Sequence, residues 1–137
     1  MNNKGTQLKI YMLLILATIV WTSCAKIEGE GGSSSIRGKV FGHYYNNSFT
    51  AYFGSQFVPD EDVYIIYGED FTFSDRIRTS YDGSFEFKYL QKGNYKIFVY
   101  SKDSTFANPS NKTTVLQNIE ITKNKEIVEL ETIIINK

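Results

Sequence analysis

Residues 82–90 constrain this chain more than any other stretch. Asp82-Gly83 precedes Ser84-Phe85-Glu86-Phe87-Lys88-Tyr89-Leu90, in which aromatic and charged side chains alternate. On an extended strand a period of two sends Phe85, Phe87 and Tyr89 to one face and Glu86 and Lys88 to the other. One face is then buried and the other solvated. Asp and Gly both tolerate positive φ, so the dipeptide marks a tight chain reversal. The preceding Arg76-Ile77-Arg78-Thr79-Ser80-Tyr81 reads as the partner strand of a hairpin. Lys92-Gly93-Asn94 is the next turn, and Tyr95-Lys96-Ile97-Phe98-Val99-Tyr100 follows as a near-continuous apolar run suited to a central strand.

The same reading predicts strands over residues 36–41, 63–67, 114–122 and 126–136, with Asn124-Lys125 as the turn joining the last two. No segment after the N-terminal apolar run carries a convincing helical period. Many short strands without a long helix predict an all-β chain, a single β-sandwich of about seven strands. The chain has one cysteine, ten tyrosines and ten phenylalanines. No second thiol can make a disulfide, so the domain must stand on its apolar core, which about one hundred residues of this composition can supply.

The N-terminus predicts an address. Lys4 and Lys9 precede an apolar run from Ile10 to Val20, and Trp21-Thr22-Ser23-Cys24 closes it with small residues before the thiol. The run is about half the ~20 residues of a spanning helix, so it reads as an export signal. The arrangement resembles a bacterial lipoprotein signal, with Trp21 standing where Leu or Val is usual. That resemblance implies removal of residues 1–23 and lipid attachment at Cys24, where two acyl chains give a stable anchor. An ordinary secretory signal with an incidental cysteine is the alternative. Ala25-Lys26-Ile27-Glu28-Gly29-Glu30 resembles the Lys-plus-acidic export signal of Bacteroidetes-type surface lipoproteins. It implies the outer membrane, at the cell surface or else facing the periplasm. Gly31-Gly32-Ser33-Ser34-Ser35 reads as the end of a flexible lipidated tether over 24–35, which places the sandwich at 36–137.

Without residues 1–23, Lys4 and Lys9 are lost from the 15 basic residues, leaving 13 against 15 acidic, a formal charge of −2. With Lys and Arg scattered, nothing favours nucleic acid.

Within the predicted sandwich, Ile36-Arg37-Gly38-Lys39-Val40, Thr79, Asp82-Gly83, the alternating aromatics to Leu90, and Gly93-Asn94-Tyr95 form a pattern. It resembles carboxypeptidase-regulatory-like domains, which share a transthyretin-like (prealbumin-like, Ig-like) sandwich. The resemblance covers most of residues 36–137 and implies a fold rather than an activity. Similar domains are appended to receptors, transporters and peptidases, which implies an envelope protein partner.

The pattern is interrupted between His43 and Asp60 by a long aromatic-rich segment containing Tyr44, Tyr45, Tyr52, Phe53 and Phe57. Long loops of this kind are often functional, and exposed rings can stack on sugars or anchor a protein. The other reading is a satellite core folded back on the sandwich edge.

Catalytic and metal chemistry finds little support. His43 is the only histidine, and no second His or Cys joins it in a zinc set. Asp60-Glu61-Asp62, and Glu69-Asp70 with Asp75, lack the alternating oxygen ligands of a calcium loop. No Gly-rich phosphate loop or cofactor motif is present, and Lys39 with Asn136 lacks the buried acid of an isopeptide bond. Asp103-Ser104-Thr105 resembles a Bacteroidetes-type O-glycosylation sequon, making Ser104 a candidate glycan site. The expectation is a non-catalytic outer-membrane lipoprotein whose sandwich binds an envelope protein. The alternative is a surface carbohydrate-binding or adhesin-like lipoprotein using the aromatic segment.

Overall fold

A computed structural model describes residues 28–137. The expected signal at 1–23, Cys24 and Lys26 lie outside the described residues. The described chain is all-β: β1 Glu30–Tyr45, β2 Tyr52–Phe57, β3 Asp62–Tyr67, β4 Asp75–Arg78, β5 Ser84–Leu90, β6 Gly93–Lys102, β7 Lys112–Ile121, β8 Ile127–Glu129 and β9 Ile133–Asn136. These strands form a β-sandwich. In one sheet β1 pairs with β2, β5, β8 and β9, and the other has the order β4-β3-β6-β7.

The long β1 organises the first sheet. It runs antiparallel to β5 over its first part and to β2 over its last. Val40 is the handover, its N–H donating to Gly83 O while its C=O accepts from Val58 N–H. Strands β8 and β9 lie parallel to β1, with Ile36 opposite Val128 and Gly42 opposite Ile135. Between the sheets, Ile36, Val40, Phe85, Phe87, Leu90, Ile133 and Ile135 meet Val63, Ile65, Tyr95, Ile97, Val99, Ile119 and Ile121 in one buried cluster. Burying each such side chain contributes roughly 1.5–3 kcal/mol, which is how the domain holds without a disulfide. As expected, β6 is central, flanked by β3 and β7.

Outside residues 44–57, four features differ from the sequence reading. Asp82-Gly83 does reverse the chain: Gly83 N–H donates to Ser80 O (2.9 Å), and Ser80 N–H donates to Ser84 O (2.7 Å). The flanking strands are not a hairpin, however, because β4 pairs with β3 and β5 pairs with β1. The turn therefore carries the chain from one sheet to the other. Residues 124–125 likewise join no antiparallel pair. Strand β7 lies beside β6, while the expected strand at 126–136 splits into β8 and β9 beside β1.

Tyr89 leaves the alternating face. Its φ is +60°, and the register slips between Ser34 and Ile36 of β1, so β5 bulges there. Tyr89 is 70% exposed, and Leu90 takes the core position. The fourth difference is the expected tether. Ordered structure begins before Ile36, since Gly31–Ser35 belong to β1 and Ser34 and Ser35 are buried. Ser34 Oγ donates to Lys123 O (3.0 Å) and accepts Glu126 N–H (3.1 Å). A Cβ on Gly32 would sit 1.9 Å from Leu90 O. The small residues here permit close backbone approach rather than flexibility.

Candidate functional site

The expected aromatic loop at 44–57 is a β-hairpin. Asn46 builds its turn: Oδ1 accepts the N–H groups of Thr50 (2.8 Å) and Ala51 (3.1 Å), and its own N–H donates to Ala51 O (3.0 Å). Such side-chain capture of backbone donors is what makes Asn a turn residue. Phe41 then lies opposite Phe57, His43 opposite Ser55, and Tyr45 opposite Tyr52. The register shifts between Tyr44 and Tyr45, which leaves Phe53 as the extra, unpaired residue.

Side chains alternate along β1, and Val40 and Gly42 are buried toward the core. Phe41, His43 and Tyr45 therefore stand on the outer face, together with Phe57, Ser55 and Tyr52 of β2. A continuous file of seven rings results. Phe57 meets Phe41 at 5.2 Å between centroids, Phe41 meets His43 at 5.7 Å, and His43 meets Tyr52 at 6.4 Å. Tyr52 meets Tyr45 at 5.2 Å, Tyr45 meets Phe49 at 5.2 Å, and Phe49 meets Phe106 at 5.9 Å. Several contacts are edge-to-face, at 78° for Phe41–Phe57, 87° for Phe41–His43 and 82° for Phe49–Phe106. This geometry stabilises ring pairs while covering one ring's face with the next. Tyr52 and Phe106 are each 57% exposed.

The file carries charge at one end. Lys39 Nζ sits 5.0 Å from the Phe57 ring centroid and pairs with Asp82 (3.1 Å). The Ser84 hydroxyl (2.6 Å), the Lys39 ammonium and the Ser84 N–H hold the Asp82 carboxyl down at about 2. Midway along the file, His43 Nδ1 lies 2.5 Å from Ser55 Oγ, and Ser55 also bonds the Tyr52 hydroxyl. Among the described residues no carboxylate hydrogen-bonds His43, so a base oriented by a third group is not assembled there.

Of the five residues expected from sequence, Tyr45, Tyr52 and Phe57 join the file. Tyr44 projects from the other face of the hairpin, and Phe53 stands at the bulge, exposed. Phe41, His43, Phe49, Ser55 and Phe106 complete the surface. The period of β1 could have indicated Phe41, whereas Phe106 arrives from the β6–β7 connection without any local signal.

The remaining candidates are dispersed. Arg78 pairs with Asp60 (3.1 Å) and Asp62 (3.3 Å), Lys137 pairs with Glu61 (2.5 Å), and Lys96 pairs with Glu69 (3.0 Å). Among the described residues no group of three or more His, Cys, Asp or Glu is placed to hold a metal. Lys39 lies opposite Ser84 while Asn136 lies opposite His43, so the two do not meet. Ser104 is exposed beside buried Asp103. The Asp103 carboxylate accepts the Thr105 hydroxyl (2.6 Å), the Thr105 N–H (2.8 Å) and the Asn108 N–H (3.0 Å), which holds it below the usual carboxylate range.

A second aromatic cluster covers the outer face of the four-stranded sheet. Tyr64 stacks on Phe98 (4.9 Å, 7°), with Tyr100 and Phe73 edge-on to Tyr64 at 5.5 and 5.1 Å. No protein-family model and no curated protein matches the chain.

Proposed function

We propose that this chain is a non-catalytic outer-membrane lipoprotein, anchored through acyl chains on Cys24, whose sandwich is a binding module for an envelope protein partner. The ring file on the β1–β2 hairpin carries the reading. Its aromatics line a hydrogen-bonded ribbon, so they are held in place before any partner arrives, and preorganisation lowers the entropic cost of binding. Aromatic side chains are also the anchors that interfaces favour. The edge-to-face packing bears on the class of partner. Sugar stacking needs a free ring face, and the pairs Phe41–Phe57, Phe41–His43 and Phe49–Phe106 each set one ring's edge against the other's face. A protein surface can instead use ring edges, phenol hydroxyls and the flanking Lys39.

The carboxypeptidase-regulatory-like, transthyretin-like assignment is part of the same proposal. Its support is that Asp82-Gly83 and Gly93-Asn94-Tyr95 stand where the chain passes between sheets. A glycan ligand is the second reading, favoured by the hydroxyl line of Tyr52 and Ser55 beside an exposed ring.

The test is Y45A combined with Y52A in the full-length protein, followed by crosslinking in its own outer membrane. The expected result is loss of a stoichiometric protein partner with the thermal midpoint little changed. Undiminished capture of that partner refutes the strip. Loss of glycan retention without any protein partner moves the assignment to the second reading. C24S separates the anchor from the module and is expected to give soluble or unprocessed protein. Unchanged membrane association of C24S removes the lipid from the proposal.

A further inference from the structure

The free edge of β7 differs from every other edge in the described fold. Strand β7 has ten residues, against seven in β5, six in β2, four each in β4 and β9 and three in β8, and β5 carries Glu86, Lys88 and a bulge. It pairs with β6 over its whole length, from Gly93 opposite Ile121 to Lys102 opposite Lys112, without a register shift. No described strand pairs with its other side. Edge strands are usually blunted by shortness, a bulge, a proline or a central charge. β7 has none of these, because Thr113-Thr114-Val115-Leu116-Gln117-Asn118-Ile119 is uncharged throughout.

The neutral stretch is bracketed by Lys112 and Glu120, of opposite sign. Both side chains point to the outer face, as do Thr114, Leu116 and Asn118, because Val115 and Ile119 turn inward. Lys112 and Glu120 have no ion-pair partner among the described residues. A second copy laid antiparallel, with Leu116 facing Leu116, brings Thr114 opposite Asn118 and Lys112 opposite Glu120 of the other copy. The two-fold axis repeats each pair. Moving the register by one residue takes Lys112 off Glu120, and it also turns one copy's outer face toward the other's inner face.

The same register makes the outer faces continuous. Tyr64 lies opposite Phe98, which lies opposite Leu116, and Leu116 is 47% exposed. Leu116 against its symmetry mate closes the gap between two Tyr64–Phe98 stacks, giving one apolar row across six of the eight strands, with Arg76 of β4 at each end.

We infer that the β7 edge is the site at which two copies of this chain pair, in an antiparallel two-fold register centred on Leu116. The contact is isologous and closed, so pairing uses up both edges and stops at a dimer. It is independent of the ring file on the opposite sheet.

The test uses the full-length chain in detergent with C24S, so that an introduced cysteine is the only thiol. L116C is expected to form disulfide-linked dimers readily. T114C alone and N118C alone are not, while a mixture of those two is, because only unlike positions then face each other. Sedimentation at about 100 µM suits an interface at the small end of the size range. K112E or E120K alone sets like charges opposite each other twice and is expected to weaken the dimer about tenfold. The double swap K112E/E120K is expected to restore it. A monomer throughout, crosslinking that ignores this register, or a dimer indifferent to the charge swaps overturns the proposal. Crosslinking of L116C to another envelope protein in place of a second copy does so as well.

Discussion

Replacing Tyr95 by Phe removes one oxygen atom, and the structure makes that atom costly to lose. Tyr95 is 1% exposed, with its ring in the core edge-on to Tyr67. Its hydroxyl donates to Gln91 O (2.7 Å) and accepts the N–H of buried Gly29 (3.1 Å). Gln91 N–H in turn donates to Gly29 O (2.9 Å), so this group ties the start of the described chain to the β5–β6 turn. Phe fills the same volume, so no large cavity opens. What is lost is a hydrogen bond worth about 1 kcal/mol, together with the penalty for leaving a buried N–H unpaired, about 1–3 kcal/mol. The expected cost is therefore about 2–4 kcal/mol. In a domain of this size that corresponds to a fall of roughly 8–20 °C in Tm. Urea unfolding followed by tryptophan-independent circular dichroism should show a lower midpoint at unchanged m. Amide exchange at Gly29 should accelerate by more than the global change. A shift below about 0.5 kcal/mol, the size of an ordinary surface substitution, would refute the claim that this hydroxyl pins the chain.

Two further expectations concern the crossings between sheets. Thr79 is buried, and its Oγ1 donates to Val58 O (2.6 Å) and accepts Glu61 N–H (2.8 Å). T79V is expected to cost about 1–3 kcal/mol, and exposed S80A close to nothing; equal midpoints for the two variants contradict the clamp. Asp82 has a carboxyl held at about 2 in the fold, against about 3.9 in an unfolded chain. A depressed folded pKa gives stability that is present above the unfolded value and lost as pH falls through the folded one. Between pH 4 and 2 the wild type should therefore lose Tm more steeply than D82N, and parallel curves contradict the assignment.

Sequence carried the local chemistry of this fold further than its pairing. The alternation of Phe85 and Phe87 with Glu86 and Lys88 appears in the structure as drawn, because burial of one face enforces it. The alternation fails at Tyr89, where one bulged residue reverses the face and hands the core position to Leu90. The Asp82-Gly83 reversal was legible for the same local reason. Which sheet the following strand joins depends on partners far along the chain, so the separation of β4 from β5 was not. The parallel pairing of β8 and β9 with β1 is equally long-range. Gly31–Ser35 has the composition of a linker, yet its small side chains serve close contact with Leu90 and the 123–126 turn. In the candidate site, residues 44–57 were legible as aromatic-rich but read as a loop, where the structure forms the β1–β2 hairpin. Only the register with Phe41 and His43, and the arrival of Phe106, turns those residues into one continuous file.

The central claim is that this file is the surface the protein uses. The most direct measurement places a photo-crosslinking residue at Tyr52, midway along the file, in the full-length protein in its own outer membrane. The control is the same residue at Tyr89, which is 70% exposed on β5 away from the hairpin. The account expects a discrete protein adduct from position 52 and none from position 89. Equal labelling from both positions, or from neither, would contradict it.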